Sequence, residues 1–159
     1  GLPDGDAAAD FYLYAVQQLE AAGYRQYEIS NFARPGHEGR HNLLYWNCND
    51  YWGIGPAAHS CVDNVRRFWP GDVQGFIDGT IHEEIEGDCT VEDYLLMQLR
   101  LVSGLDIAEY ERRGGRFTTA QRAFMRQCVD HEYATLDGNV FRLTPAGMVV
   151  QNAILAELM

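Results

Sequence analysis

Between Ala7 and Ala22 the apolar side chains of Tyr12, Ala15, Val16 and Leu19 recur every three or four residues, marking one face of a helix. Gly23 follows as a residue able to turn left-handed at the helix end. The period then changes. Over Tyr24 to Phe32, Tyr27 and Ile29 alternate with Glu28 and Ser30, as in a strand whose two faces meet different surroundings. A helix feeding such a strand is half of an α/β repeat. In a barrel, its carboxylate and hydroxyl would point into the lumen or towards the mouth.

From Ala33 to Ser60 the pattern dissolves into Pro, Gly, Asn, His and Trp, which predicts a loop-rich stretch. Within it, Gly53-Ile54-Gly55-Pro56-Ala57-Ala58 offers small side chains that allow close approach of a ligand or another strand. Cys61 to Trp69 reads as a short hairpin turning at Asp63-Asn64. A helix over Val73 to Asp78 follows, capped by Asp72 and stopped by Gly79, and residues 80–89 form an acidic connection.

A separate unit begins at residue 90. Thr90 and Asp93 have the spacing of a capping box, and Val91, Leu95, Leu99 and Val102 form a stripe ending near Gly104. Asp106 starts a short helix to Arg113. Thr119 caps another to about Glu132, with Phe124, Cys128 and Val129 inward. Tyr133–Leu136 and Val140–Leu143 read as strands around an Asp137-Gly138 turn. Thr144 caps a last helix with Pro145 at its first position and Leu143 stapled to Met148. The expected class is α+β, with residues 1–89 as one part and a helical, winged-helix-like part over 90–159.

Composition narrows the options. The 159 residues, 47% hydrophobic, can build one ordinary core or two small ones, and that apolar content argues against disorder. The charge of −11 divides as −9 up to residue 89 and −2 beyond it. All twelve basic residues are arginine, so a general nucleic-acid partner is disfavoured. No apolar run is long enough for a transmembrane segment and no leader opens the chain, so a cytoplasmic location is expected. Cys48, Cys61, Cys89 and Cys128 match neither a metal knuckle nor a small disulfide scaffold, and buried thiols are the plain expectation. The start Gly1-Leu2-Pro3, running at once into a helix, suggests a piece of a longer protein.

The densest chemistry is His41, Asn42, Tyr45 and Trp46, with Arg40 before them and His59 further on. Alone, such a histidine is more often a surface or hydrogen-bonded residue than a ligand, and the aromatics are more often core than platform. Gly53-Ile54-Gly55 lacks the third glycine of a dinucleotide fingerprint. A zinc hydrolase built from His37, His41 and His59 lacks any HExxH pair, and the thiols have no nearby base pattern. On the 119–132 helix, Arg122 and Arg126 are offset by Asp130 and Glu132, which does not favour DNA.

Three ordered strings, YEISNFA over 27–33, RHNLLYW over 40–46 and YWGIGPAAHS over 51–60, resemble the oxygen-independent coproporphyrinogen III oxidase-like family of radical S-adenosylmethionine proteins. The HNxxYW string is closer to its haem-chaperone branch. Leu99-Arg100-Leu101, Gly104-Leu105 and the RLTPAG of 142–147 extend the resemblance over nearly the whole chain. It implies the late part of a partial (β/α) barrel over 1–89, followed by the family's carboxy-terminal module. The family's CxxxCxxC motif is absent here. A four-iron four-sulfur cluster and S-adenosylmethionine are therefore expected in the full-length parent only, and this piece alone is expected to be inactive in radical chemistry.

By the same resemblance, His41 is the haem ligand, Tyr45 and Trp46 offer apolar faces to a porphyrin, and Asn42 orients the segment. No other metal ligand is implied. Glu28 and Ser30 fall on a late barrel strand, and Gly53, Gly55, Ala57, Ala58 and His59 at the mouth near the S-adenosylmethionine side. The implied function is haem binding and delivery to a haem-accepting protein. One alternative is a parent that oxidatively decarboxylates the propionates of coproporphyrinogen III, for which Arg34, Arg40, Arg66 and Arg67 are available. The other is a simple interaction module. Strand edges left open by missing barrel neighbours would favour self-association.

Overall fold

The computed structural model describes residues 4–159, so the opening Gly1-Leu2-Pro3 lies outside the described residues. In chain order the first elements are α1 (Gly5–Ala21), β1 (Arg25–Glu28), β2 (Asn31–Ala33), α2 (Arg40–Trp46), β3 (His59–Val62), β4 (Val65–Phe68), α3 (Val73–Asp78) and β5 (Glu84–Asp88). They are followed by α4 (Val91–Gln98), β6 (Leu105–Asp106), α5 (Ile107–Arg112), α6 (Thr119–Asp130), β7 (Ala134–Asp137), β8 (Val140–Leu143), α7 (Pro145–Val149) and α8 (Gln151–Leu158). The mixture is α+β. Packing groups the residues up to Gly39 with Gln98–Met159 in one unit, and Arg40–Met97 in a second. No helix among the described residues is long and apolar enough to cross a membrane.

In the first unit, the Asp4 carboxylate accepts the Ala7 N–H at 2.9 Å and so starts α1. The strand expected over 24–32 is instead the β1–β2 hairpin, turning at Ile29-Ser30. The Ser30 N–H donates to Glu28 Oε1 at 3.1 Å, a local bond that closes the turn. Glu28 is thereby buried, only 1% exposed, but Ser30 is exposed and the expected pairing of the two on one strand face fails.

The hairpin gains a third partner from far along the chain. Ile29 N–H donates to Arg100 C=O at 2.9 Å and Val102 N–H to Tyr27 C=O at 3.2 Å. These bonds attach the stretch after α4 to the amino-terminal segment, so the packing units do not follow the composition shift at residue 89. They also draw the chain out of the helix, which stops at Gln98. Leu99 is fully buried as the stripe requires, whereas Val102 is 38% exposed.

Strands β6, β8 and β7, in that order, form an antiparallel sheet in which Leu105 faces Phe141 across the register, both fully buried. Thr118, not Thr119, caps α6, in a reciprocal box with Gln121. Met125 and Cys128 are its buried residues, with Phe124 and Val129 half-buried. The hairpin turn falls on Gly138-Asn139, since Asp137 pairs with Val140. Thr144 and Pro145 start the last helical stretch as expected, but it breaks at Val150 into α7 and α8.

In the second unit, β3, β4 and β5 form an antiparallel meander. Asp63 and Asn64 take φ 52° and 64° at the first turn, as anticipated, and α3 has the predicted bounds with Asp72 as its cap. The acidic stretch 80–89, expected to be a connection, supplies β5. Its carboxylates stay in solvent along a sheet edge while Glu86 reaches Arg66 of β4 at 3.6 Å.

At the start of α4, Thr90 N–H and Oγ1–H donate to Asp93 Oδ2 at 2.7 and 3.0 Å, and Arg66 Nη1 lies 3.1 Å from Asp93 Oδ1. Burial opposes the charge, but these donors outweigh it and hold the carboxyl below its ordinary 3.8. Because the folded value is the lower one, this stabilisation is complete above about pH 5 and is lost as pH falls through 3.8 and below. Asp93→Asn is expected to cost about 1 kcal/mol at neutral pH. It should also flatten the acid limb of a stability-versus-pH curve, and an unchanged limb would refute this role.

Candidate functional site

The HNxxYW stretch, expected within a loop, forms α2. No glycine or proline interrupts residues 40–46, and helical spacing puts His41 and Tyr45 on one stripe and Asn42 and Trp46 on the next. His41 is exposed; the other three are half-buried. The Tyr45 hydroxyl is hydrogen-bonded to His41 Nε2, and their ring centroids lie 4.7 Å apart at 75°. Tyr45 in turn meets Tyr51 edge-on at 4.3 Å. His41, Tyr45 and Tyr51 thus make one aromatic ledge, and burial pushes the Tyr51 phenol above its ordinary value. Tyr51 stood out in the sequence only as one of several aromatics. Its place on the ledge comes from its bridge to Cys61, which sequence spacing does not reveal.

The GIGPAAHS segment folds back on its own strand. Tyr51 and Cys61 exchange backbone hydrogen bonds at 2.8 and 3.0 Å. A Cβ on Gly53 would lie 2.1 Å from the His59 carbonyl oxygen, so this glycine is required by the protein's own backbone. Gly53 N–H donates to Ser60 Oγ at 3.0 Å, and that hydroxyl donates to Glu83 Oε1, also at 3.0 Å; Ser60 is fully buried. Gly55 is different: its φ of +111° needs glycine, but the space around it is open. Ala57 sits left-handed at φ 59°, its N–H donating to Trp69 C=O at 3.1 Å, and Trp69 N–H donates to Ala58 C=O at 2.9 Å. Ile54, between the two glycines, is 88% exposed.

His59 is exposed and stacks on Phe68 at 5.8 Å, with Nδ1 3.5 Å from Glu86. Glu86 and Asp93 both engage Arg66, so that guanidinium is already committed.

Glu28 and Ser30 belong to the first unit. Beside Glu28 on β1, Gln26 Nε2 donates to Tyr12 Oη at 2.5 Å and to Ile29 C=O at 3.1 Å. Burial, together with the Glu28 charge, raises the Tyr12 phenol above 10.0 against the lowering effect of Gln26. Tyr12, Ile29, Phe32 and Met148 border a cavity of about 480 Å³. The placing of Gln26 and Glu28 two apart, on one face of β1, was the available sequence signal for this polar cluster. Among the described residues, no three His, Cys, Asp or Glu side chains converge to hold a metal ion, so these thiols do not fit an iron–sulfur cluster.

Residues 90–150 match the family described as HemN C-terminal domain. The heme chaperone HemW of Mycobacterium tuberculosis is 31% identical, over 99% of this chain and 40% of its own length. A mouse protein, radical S-adenosyl methionine domain-containing protein 1, mitochondrial, is 54% identical over 59% of this chain and 20% of its own. Among solved structures, the radical SAM enzyme coproporphyrinogen III oxidase (HemN) from Escherichia coli superposes with a TM-score of 0.68 at 16% identity, covering 99% of this chain and 42% of that one. This last likeness shows the fold. The chain spans about two fifths of the length of the HemW and HemN relatives.

Proposed function

The chain belongs to the HemW/HemN-like radical SAM family, and from that premise we propose that it holds haem as cargo for delivery to a haem-requiring protein. The observation that carries this reading is the His41 imidazole, exposed on α2 and backed by the rings of Tyr45 and Tyr51. A neutral imidazole is a good axial ligand for haem iron, and aromatic faces suit a porphyrin plane. Tyr45 and Trp46 would pack against the macrocycle, and Asn42 would orient the start of α2. In the whole protein, Gly53, Gly55, Ala57, Ala58 and His59 of the second unit would lie on the S-adenosylmethionine side.

No radical step is assigned to this chain, because its cysteines do not converge in threes. The decarboxylase reading asks for arginines free to pair with propionates, and of Arg34, Arg40, Arg66 and Arg67 only Arg66 is tied to carboxylates, Glu86 and Asp93, among the ion pairs described. The test is a haem titration followed by absorbance. A saturable Soret band at one haem per chain is expected. A linear, unsaturable rise would overturn the assignment of haem to this part of the protein.

A further inference from the structure

The second unit contains a pair of sulfurs that the haem reading leaves unused. Cys61 and Cys89 stand far apart in sequence, yet their Sγ atoms are 3.2 Å apart and both are free thiols. The backbone explains the approach. Cys61 lies on β3, fixed on one side by the Tyr51 bridge and on the other by pairing with Arg66. Cys89, just beyond β5, is clamped to the turn of the same hairpin. Its N–H donates to Asn64 C=O at 2.8 Å, and Asn64 Nδ2 donates to the Cys89 carbonyl, also at 2.8 Å. The two residues are thus held from the same hairpin, and a disulfide requires the sulfurs to close by only about 1 Å.

We propose that Cys61 and Cys89 form a reversible dithiol–disulfide site, oxidised by low-molecular-weight disulfides, whose closure staples the β3–β4–β5 meander. Cys89 is the more accessible of the two. Its thiol loses a proton to solvent, and the thiolate attacks one sulfur of the oxidant. The oxidant's S–S bond breaks and one thiol departs. Cys61, deprotonated in turn, attacks Cys89 Sγ and expels the second thiol. In sum, two protein thiols are oxidised and one small disulfide is reduced to two thiols.

Burial and the hydrogen bond shared with Cys61 push the Cys89 thiol up to about 12. The charged groups facing it are Arg66 of β4, which favours the thiolate, and Asp93 of α4, which opposes it. The first attack is accordingly slow near neutrality and accelerates in alkali.

The experiment incubates the reduced protein with glutathione disulfide in mildly alkaline buffer, counts thiols and maps the linked peptides by mass spectrometry. Reactive thiols in the denatured protein should fall from four to two, with Cys61 joined to Cys89 within one chain and Cys48 and Cys128 unlinked. The oxidised protein should melt roughly 10 °C higher, and reductant should reverse the shift. Cys89→Ser, at a half-buried position, should abolish the internal link and the shift. Cys61→Ala should do the same, so that a folding defect in one variant leaves the other decisive. Retention of four thiols, a bridge to Cys48 or Cys128, or bridges between chains would each overturn the proposal.

Discussion

Gly53→Ala is expected to destabilise the second unit by at least about 3 kcal/mol, more than ordinary overpacking costs, because the clash is with fixed backbone. The added methyl would sit 2.1 Å from the His59 carbonyl oxygen, and neither chain can yield alone. Moving residue 53 away breaks its hydrogen bond to Ser60, a side chain with no access to water, and strains the adjacent Tyr51–Cys61 bridge. Each lost bond adds about 1 kcal/mol. Gly55→Ala is the matched control, with the same methyl in open space, where only the φ of +111° resists. It should cost about 1–3 kcal/mol. Urea denaturation of the two variants beside wild type checks the order, and equal stabilities would show that 53 and 59 do not approach as described.

His41→Ala is expected to abolish the saturable Soret band, weakening haem at least tenfold, about 1.4 kcal/mol or more. Tyr45→Phe should act in the opposite direction. In the tautomer that accepts the Tyr45 hydroxyl, the lone pair of His41 Nε2 is occupied by that hydrogen bond, and iron must displace it. Removing the hydroxyl while keeping the ring spares about 1 kcal/mol, or roughly a fivefold tightening. Titrating both variants separates the two roles. Haem binding that survives His41→Ala unchanged would place the ligand elsewhere, and weaker binding in Tyr45→Phe would make the hydroxyl a contributor instead of a competitor.

What the sequence disclosed follows the range of the forces involved. The Asp63-Asn64 turn, the Asp72 cap of α3 and the Thr90–Asp93 box are settled within a few residues, and each was legible. The β1–β2 hairpin was not. Its turn has no Asn-Gly or Gly-Asn signal and is held by Glu28 from within and by Arg100 from far along the chain. Strand β5 escaped notice because its acidic side chains face water, leaving no apolar alternation, and its identity comes from backbone pairing with β4. The residues of HNxxYW were conspicuous, but the contact of His41 with Tyr45 depends on the stretch being helical. Glu83 behind Ser60, and Cys89 beside Cys61, depend on the meander and have no local trace.

The way the first unit is interrupted bears on how the chain reaches its native state during synthesis. Arg40–Met97 is continuous, and its β3–β4 hairpin and the β4–β5 pairing that closes around α3 lie wholly within it, so these pairings do not wait for residues 98–159. The β1–β2 hairpin must wait, because the carbonyl of Arg100 and the amide of Val102 that complete it are made later. During that delay the edge of the hairpin is open, and the carboxylate of Glu28 keeps its hydration until Leu101 arrives beside it. A charged group at the seam thus discourages premature association of nascent chains, and its burial marks the moment at which the two ends of the unit meet.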